Sequence, residues 1–259
     1  MQLLTTRALV LRETRYKETD KMLTVLTESE GKLGLRVRGA LRRGSKVAAA
    51  TQFLAYSEMT LFGSRGRWTL NEAETLEQFL PLREDIGKLA LGAYFAELME
   101  AVGDEDSPNP ALLRLGLNAL YAVSRGLYAP EHVKAAFELR LMCLSGYEPM
   151  LERCGVCGEV NITHPMFRSD AGFLHCDTCK LTDTIQNPPP SLPLCEASLA
   201  AMRYVVGSEL RRVFAFTLDD PQARARFYAA AERYVQVQLE RGFGALDYWK
   251  QMTQLTGNP

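Results

Sequence analysis

The sequence predicts an α+β protein in which a small closed β-barrel is followed by an all-α body carrying an inserted metal module. Three observations support this. The first eighty residues read as short strands, with a strict period of two from Leu33 to Arg38. From Pro81 onward the spacing becomes that of amphipathic helices. Four cysteines then stand in two close pairs, Cys154-x2-Cys157 and Cys176-x2-Cys179. The 259 residues suffice for one large domain or two ordinary ones. The change of period places the boundary between residues 1–80 and 81–259, with the cysteine module at about 150–182.

In the first part, Leu3 to Arg12 and Lys21 to Thr27 are rich in aliphatic and β-branched residues and read as strands. After a turn at Glu28-Ser29-Glu30-Gly31-Lys32, Leu33, Leu35 and Val37 alternate with Gly34, Arg36 and Arg38. That pattern puts three aliphatics on one face and the arginines on the other. Tyr56 to Phe62 and Arg67 to Leu70 form a further pair across Gly63-Ser64-Arg65-Gly66. Five short strands are enough to close a small barrel and remove its exposed edges.

The helical part begins with residues 83–103. Leu91, Phe95, Leu98 and Val102 mark a buried stripe there, widened by Ile86, Leu89 and Ala93. Helices are also expected over about 111–125, from Pro130 to Gly146, and over about 195–206. Asp220 as N-cap, Pro221 at the first helical position and Gly242 after the last turn punctuate the final helix. Its expected stripe is Tyr228, Ala231, Val235 and Leu239. The Asn187-Pro188-Pro189-Pro190 tract reads as a rigid connector.

The cysteine spacing fits one tetrahedral Zn2+ held by Cys154, Cys157, Cys176 and Cys179. Gly155 and Gly158 give the first turn backbone freedom. Four thiolates close the coordination sphere, so the ion is expected to be structural rather than catalytic. The alternatives are two disulfides or four unrelated thiols. His164 and His175 are expected to be bystanders, and Cys143 and Cys195 small buried hydrophobes.

The net charge of −1 conceals an uneven distribution. Between residues 32 and 67, Lys32, Arg36, Arg38, Arg42, Arg43, Lys46, Arg65 and Arg67 face Glu58 alone, a net of +7 that leaves −8 for the rest. One concentrated basic segment in a mildly acidic chain suggests a polyanion site. The segment Gly39 to Lys46 is not a nucleotide-phosphate loop, because serine precedes lysine and no helix is expected after it. It reads as a mobile basic loop, with Arg36 and Arg38 leading into it. Phe53, Tyr56, Phe62 and Trp68 lie in the same domain, but at strand spacing about half point into the barrel. None of them is singled out for stacking, and Arg36 and Arg38 are the better candidates. Glu13, Glu18 and Asp20 read as solvated turn charges. His132, His164 and His175 sit in no recognisable base or nucleophile setting, so no catalysis is expected. Arg7 and Arg12 interrupt any signal-peptide pattern, and the longest uncharged apolar run, Leu89 to Ala96, is short of a bilayer span. A cytoplasmic protein is expected.

Thr6-Arg7-Ala8-Leu9-Val10-Leu11, then Tyr16-Lys17-Glu18-Thr19-Asp20-Lys21, then Gly31-Lys32 leading to Arg38-Gly39-Ala40 and Ser45, resembles the RecO family of bacterial DNA repair proteins. So do the cysteine pairs after Gly146-Tyr147-Glu148-Pro149. The resemblance covers nearly the whole chain. It implies an OB-fold followed by a zinc-bearing helical domain. By the same resemblance, the function is that of a non-catalytic recombination mediator in the RecF pathway. Such a protein binds single- and double-stranded DNA, anneals strands, and works with RecR and the C-terminal tail of the single-stranded-DNA-binding protein. It helps load RecA onto covered strands and is cytoplasmic and nucleoid-associated. DNA contacts are implied for the basic residues of the barrel, which here are the 32–67 cluster. Two other readings remain: a protein-interaction adaptor whose basic segment meets an acidic partner, and a zinc-containing DNA-modifying enzyme.

Overall fold

Alternating burial builds five strands, β1 (Gln2–Tyr16), β2 (Asp20–Thr27), β3 (Lys32–Val37), β4 (Tyr56–Ser64) and β5 (Arg67–Glu77). The computed structural model describes residues 2–64, 66–105, 107–179 and 190–255. The strands close into a barrel in the order β1-β2-β3-β5-β4. Every pairing is antiparallel except β3 with β5, where Leu35 faces Trp68 and Arg36 faces Thr69. Five strands closed in this order form an OB-fold. Ala8, Val10, Leu23, Val25, Leu33, Leu35, Val37, Met59 and Leu61 fill the interior. The alternation expected for β3 is present: Leu33, Leu35 and Val37 are buried, Gly34 is exposed and Arg36 half-buried. β1 and β5 run past their expected ends at Arg12 and Leu70. Register shifts at Val10/Arg12 and Thr60/Leu61 accompany the extensions. Beyond Leu11, β1 is exposed on both faces, so no hydrophobic period marks it.

Among the described residues seven α-helices follow: α1 (Leu80–Arg83), α2 (Ile86–Val102), α3 (Pro110–Arg125), α4 (Pro130–Leu144), α5 (Glu196–Gly207), α6 (Pro221–Gln238) and α7 (Gly244–Leu255). The chain forms two compact units, one holding the residues up to Leu127 with the segment from Phe243 onward, the other Tyr128–Gly242. The first unit therefore contains the barrel, α1–α3 and α7.

Within the first unit, the expected helix over 83–103 is divided. Glu84 ends α1, and the Asp85 carboxylate accepts the Lys88 N–H at 3.0 Å to start α2. Ile86 is 51 % exposed. Ala90, Tyr94 and Met99 widen the stripe in its place. The helix expected to run up to Gly242 is one helix, α6, that ends earlier, at Gln238, with Glu240 at φ 50° just beyond. The sequence reading missed α7. Its first turn is held by the Glu97 carboxylate, which accepts the Ala245 N–H at 3.0 Å, and by Phe243 packed edge-on against Tyr94 at 5.7 Å.

The second unit packs α4 against α5 and α6. In α6, Phe227, Ala230, Ala231, Tyr234 and Val235 are buried, whereas Tyr228 and Leu239 are only half-buried. Between α4 and α5 lies a small sheet of β6 (Met150–Cys154), β7 (Pro165–Arg168), β8 (Phe173–Cys176) and β9 (Leu192–Pro193), ordered β6-β8-β7-β9. The end of the expected module at 182 and Asn187 to Pro189 of the proline tract lie outside the described residues. No described helix is long and apolar enough to cross a membrane.

Gly31 shows how closely the barrel is packed within its unit. It adopts φ +70°, and an added Cβ would stand 2.5 Å from the Asp104 carbonyl oxygen and 2.7 Å from that of Ser107. Gly31→Ala is expected to cost about 1–3 kcal/mol through backbone strain and overpacking, measured as a lower midpoint in urea unfolding.

Candidate nucleic-acid interface and metal centre

The first residue of β2, Asp20, organises the cationic surface. Its Oδ2 accepts Arg36 Nη2 at 2.7 Å and Nε at 3.2 Å, while Oδ1 accepts the Gly39 backbone N–H at 2.9 Å. The Gly39 N–H, and next the Arg36 guanidinium, hold its carboxyl down at about 2. The sequence reading took Asp20 for a solvated turn charge, but its side chain is 10 % exposed. Its partner in β3 is distant in sequence, so only the register of β2 on β3 brings the two together. Nearby, the Leu41 N–H donates to the Thr19 carbonyl at 2.9 Å, docking the basic segment on the β1–β2 turn. Thr19, Asp20, Arg36, Arg38, Gly39 and Arg42 line one concavity.

The connection from β3 to β4 is pinned rather than loose. Ser45, Ala48 and Thr51 donate in succession to the Arg42, Ser45 and Val47 carbonyls, and Ala40, Ala50 and Leu54 are buried beneath them. The small aliphatics from Val47 to Leu54 anchor what the sequence suggested was a mobile loop. Arg42, Arg43 and Lys46 are exposed along it. Arg67 shares the outer barrel face with Thr69, the β3-facing partner of Arg36. Lys32 is not part of this group: its ammonium donates to the Glu100 carbonyl at 2.8 Å, at the end of α2. Arg65 lies outside the described residues.

Of the aromatics, Trp68 packs against the barrel core and Phe53 and Tyr56 are half-buried, while Phe62 is 38 % exposed. Tyr16 was missed by sequence reasoning, because polar β1 residues surround it and no period marks that stretch. The Arg36 guanidinium lies 5.4 Å from its ring centroid.

In the second unit the four cysteines of the two pairs converge, with all four sulfurs within 4.8 Å of one another. Cys154 and Cys179 are 3.8 Å apart, as are Cys157 and Cys176. A tetrahedron with 2.3 Å metal–sulfur bonds has edges of about 3.8 Å, so the donor set fits a metal ion of zinc's size. Those separations are too long for disulfide bonds. At Cys154 burial opposes ionisation, but N–H groups of Cys157, Val156 and Cys176 aimed at its sulfur outweigh it and hold the thiol at about 6. Burial and the neighbouring thiols push Cys176 up to about 12. Sulfurs this close cannot all ionise without a cation between them.

The turns are shaped for this convergence. Gly158 adopts φ +80°. Gly155 is needed for space instead, since an added Cβ would stand 2.6 Å from the Phe173 ring. His175 points away from the sulfurs, its Nδ1 donating to the Cys176 carbonyl at 2.7 Å and its Nε2 meeting the Ser191 hydroxyl at 2.8 Å. His164 is exposed and outside the cluster. Cys143 is half-buried, and burial raises its thiol to about 12. Cys195 is not simply a buried hydrophobe: it occupies the N-cap of α5, bonded to Ser198.

Fold and site together define a protein of the OB-barrel class, with a cationic groove on the barrel and a four-cysteine site in a second unit. Residues 1–79 match the family model described as Recombination protein O N terminal, and residues 83–247 match Recombination protein O C terminal. The chain belongs to the RecO family. It is 29 % identical over 256 residues to the DNA repair protein RecO of Acetivibrio thermocellus, covering 98 % of this chain and 99 % of the relative. To that of Alkaliphilus metalliredigens it is 31 % identical over 251 residues, covering 96 % and 100 %. To that of Listeria monocytogenes it is 33 % identical over 171 residues, covering 66 % of each chain.

Asp20 yields a pH dependence. Its folded value, about 2, lies below the ordinary unfolded value of about 3.9. Its contribution is therefore fully present above about pH 4 and is lost as the pH falls toward 2. Asp20→Asn removes this ionisation. Its unfolding midpoint is expected to change less between about pH 5 and pH 2 than the wild type's.

Proposed function

We propose that this chain is a DNA-binding mediator of recombinational repair that acts without catalysing a covalent step. The observation that carries the reading is the grouping of Arg36, Arg38 and Arg42 around one concavity of an OB barrel, in a chain of the RecO family. Arg43, Lys46 and Arg67 extend the cationic surface on the same unit. The segment containing Arg65 adjoins it in sequence. Phosphate neutralisation by these side chains would supply most of the affinity, on single strands and duplex alike. The finer activities are strand annealing and loading of RecA onto strands covered by the single-stranded-DNA-binding protein. They involve RecR and the C-terminal tail of that binding protein as partners, and a cytoplasmic, nucleoid-associated location.

We assign one Zn2+ to Cys154, Cys157, Cys176 and Cys179, in a structural role. A bound zinc would supply a fixed cross-link between the two cysteine turns. The chain itself orients the module: Gln238 of α6 donates to the Ser169 carbonyl at 2.7 Å, and Phe167 packs edge-on against Tyr234 at 5.3 Å.

Titration of the full chain with a short single strand over a series of salt concentrations tests the DNA reading. Affinity is expected to fall with a log–log slope of about −0.7 per phosphate contact, and Arg42→Ala/Arg43→Ala should flatten it by about 1–1.5 units. An unchanged slope removes these residues from the interface. Absence of binding by the wild-type chain at moderate salt favours an adaptor that meets an acidic protein.

Metal analysis of the same preparations tests the second assignment. About one zinc per chain is expected in the wild type and a marked loss in Cys176→Ser. Faster proteolysis should be confined to the 150–179 region, with DNA affinity nearly unchanged. Loss of DNA binding equal to that of the arginine variant would show that the two sites are not separate in function.

A further inference from the structure

We propose that Tyr16 is a stacking platform for an unpaired nucleobase, so that the groove prefers a single strand to a duplex; this rests on the DNA-binding reading above. Tyr16 ends β1, where the hairpin into β2 leaves its residue 41 % exposed. The turn is made by Lys17 at φ 57°, a conformation that lysine adopts only at some cost. Arg36 and Lys17 bring their cationic groups to 5.4 and 5.6 Å from the Tyr16 ring centroid.

Arg36 is the key neighbour. Its guanidinium is fixed by two hydrogen bonds to Asp20, so the group packed against the ring is held in place before any ligand arrives. Met22, the cross-strand partner of Arg36, is 38 % exposed and adds apolar surface on the same outer face. Arg36 also lines the concavity with Arg38 and Arg42. An exposed aromatic ring therefore stands beside a row of phosphate-seeking cations, the combination by which single strands are held without reading sequence.

The discrimination follows from the chemistry of the two ligands. Cations attract the phosphates of any nucleic acid. A ring face gains only from a base whose own face is free, and in a duplex both faces are already stacked. The β1–β2 turn is moreover one of the regions with which OB barrels hold oligonucleotides.

The test uses the full chain, an oligothymidylate, an abasic deoxyribose-phosphate strand of equal length and a duplex, all at one salt concentration. Tyr16→Ala is expected to weaken binding of the oligothymidylate by about 5- to 150-fold. The abasic strand, the duplex and the salt slope should be unaffected, and Tyr16→Phe should bind like the wild type. Equal weakening for all three ligands would overturn the proposal, because it would mean that Tyr16 acts only by supporting Arg36. No change for any ligand would overturn it too. A wild-type chain that binds none of the three would refute the parent DNA reading. Wild-type binding to all three with an indifferent Tyr16→Ala would refute the stacking assignment alone.

Discussion

Two residue pairs close the barrel, Leu35 with Trp68 and Arg36 with Thr69, and the geometry of the cationic face depends on that short parallel contact. The other four strand pairings are antiparallel and would form an open sheet without it. Closure buries Leu35 completely and brings Trp68 against the interior. It also brings the outward residues of β3 and β5 side by side, so that Arg36 and Arg67 share one face although thirty positions separate them in sequence. Parallel contacts are slightly weaker per residue than antiparallel ones. This one is supported by the apolar residues behind it.

The same face carries a local balance of charge. Asp20 places a carboxylate among arginines that would otherwise repel one another, and in doing so it fixes the Arg36 side chain and the Gly39 backbone at the mouth of the basic segment. One arginine is thereby partly neutralised and strongly oriented, while Arg38 and Arg42 remain exposed on the rim. An oriented cation loses less entropy on meeting a ligand than a free one. Arg36 is therefore a fixed cation, and the exposed arginines are the more adaptable ones.

The parts legible in the sequence were those with a regular period or a defined spacing. β3 alternates strictly, and its buried and outward residues fell as expected. Asp220, followed by proline, caps α6. The cysteine spacing identified a quartet that does converge. What escaped the sequence was what tertiary register creates. The distal third of β1 has no apolar period because both its faces are exposed, so Tyr16 went unnoticed. Asp20 resembled any charged turn residue until β2 was paired with β3. α7 was hidden because Gly242 reads as a terminus, whereas the break comes earlier, at Glu240, and a new helix starts at Gly244.

Lys32 shows why charge density alone does not define an interface. In the sequence it opens the basic cluster, yet in the fold its ammonium meets a carbonyl at the C-terminal end of α2, where the helix dipole favours a cation. Its backbone N–H donates to the Asp104 carbonyl as well, so the residue joins barrel to helix within the first unit. Arg36 is drawn toward Asp20 by the same electrostatics but stays partly exposed, although the carboxylate that holds it is itself nearly buried. What separates these cations is the acceptor within reach: a helix terminus holds Lys32, a single carboxylate holds Arg36, and neither holds Arg38.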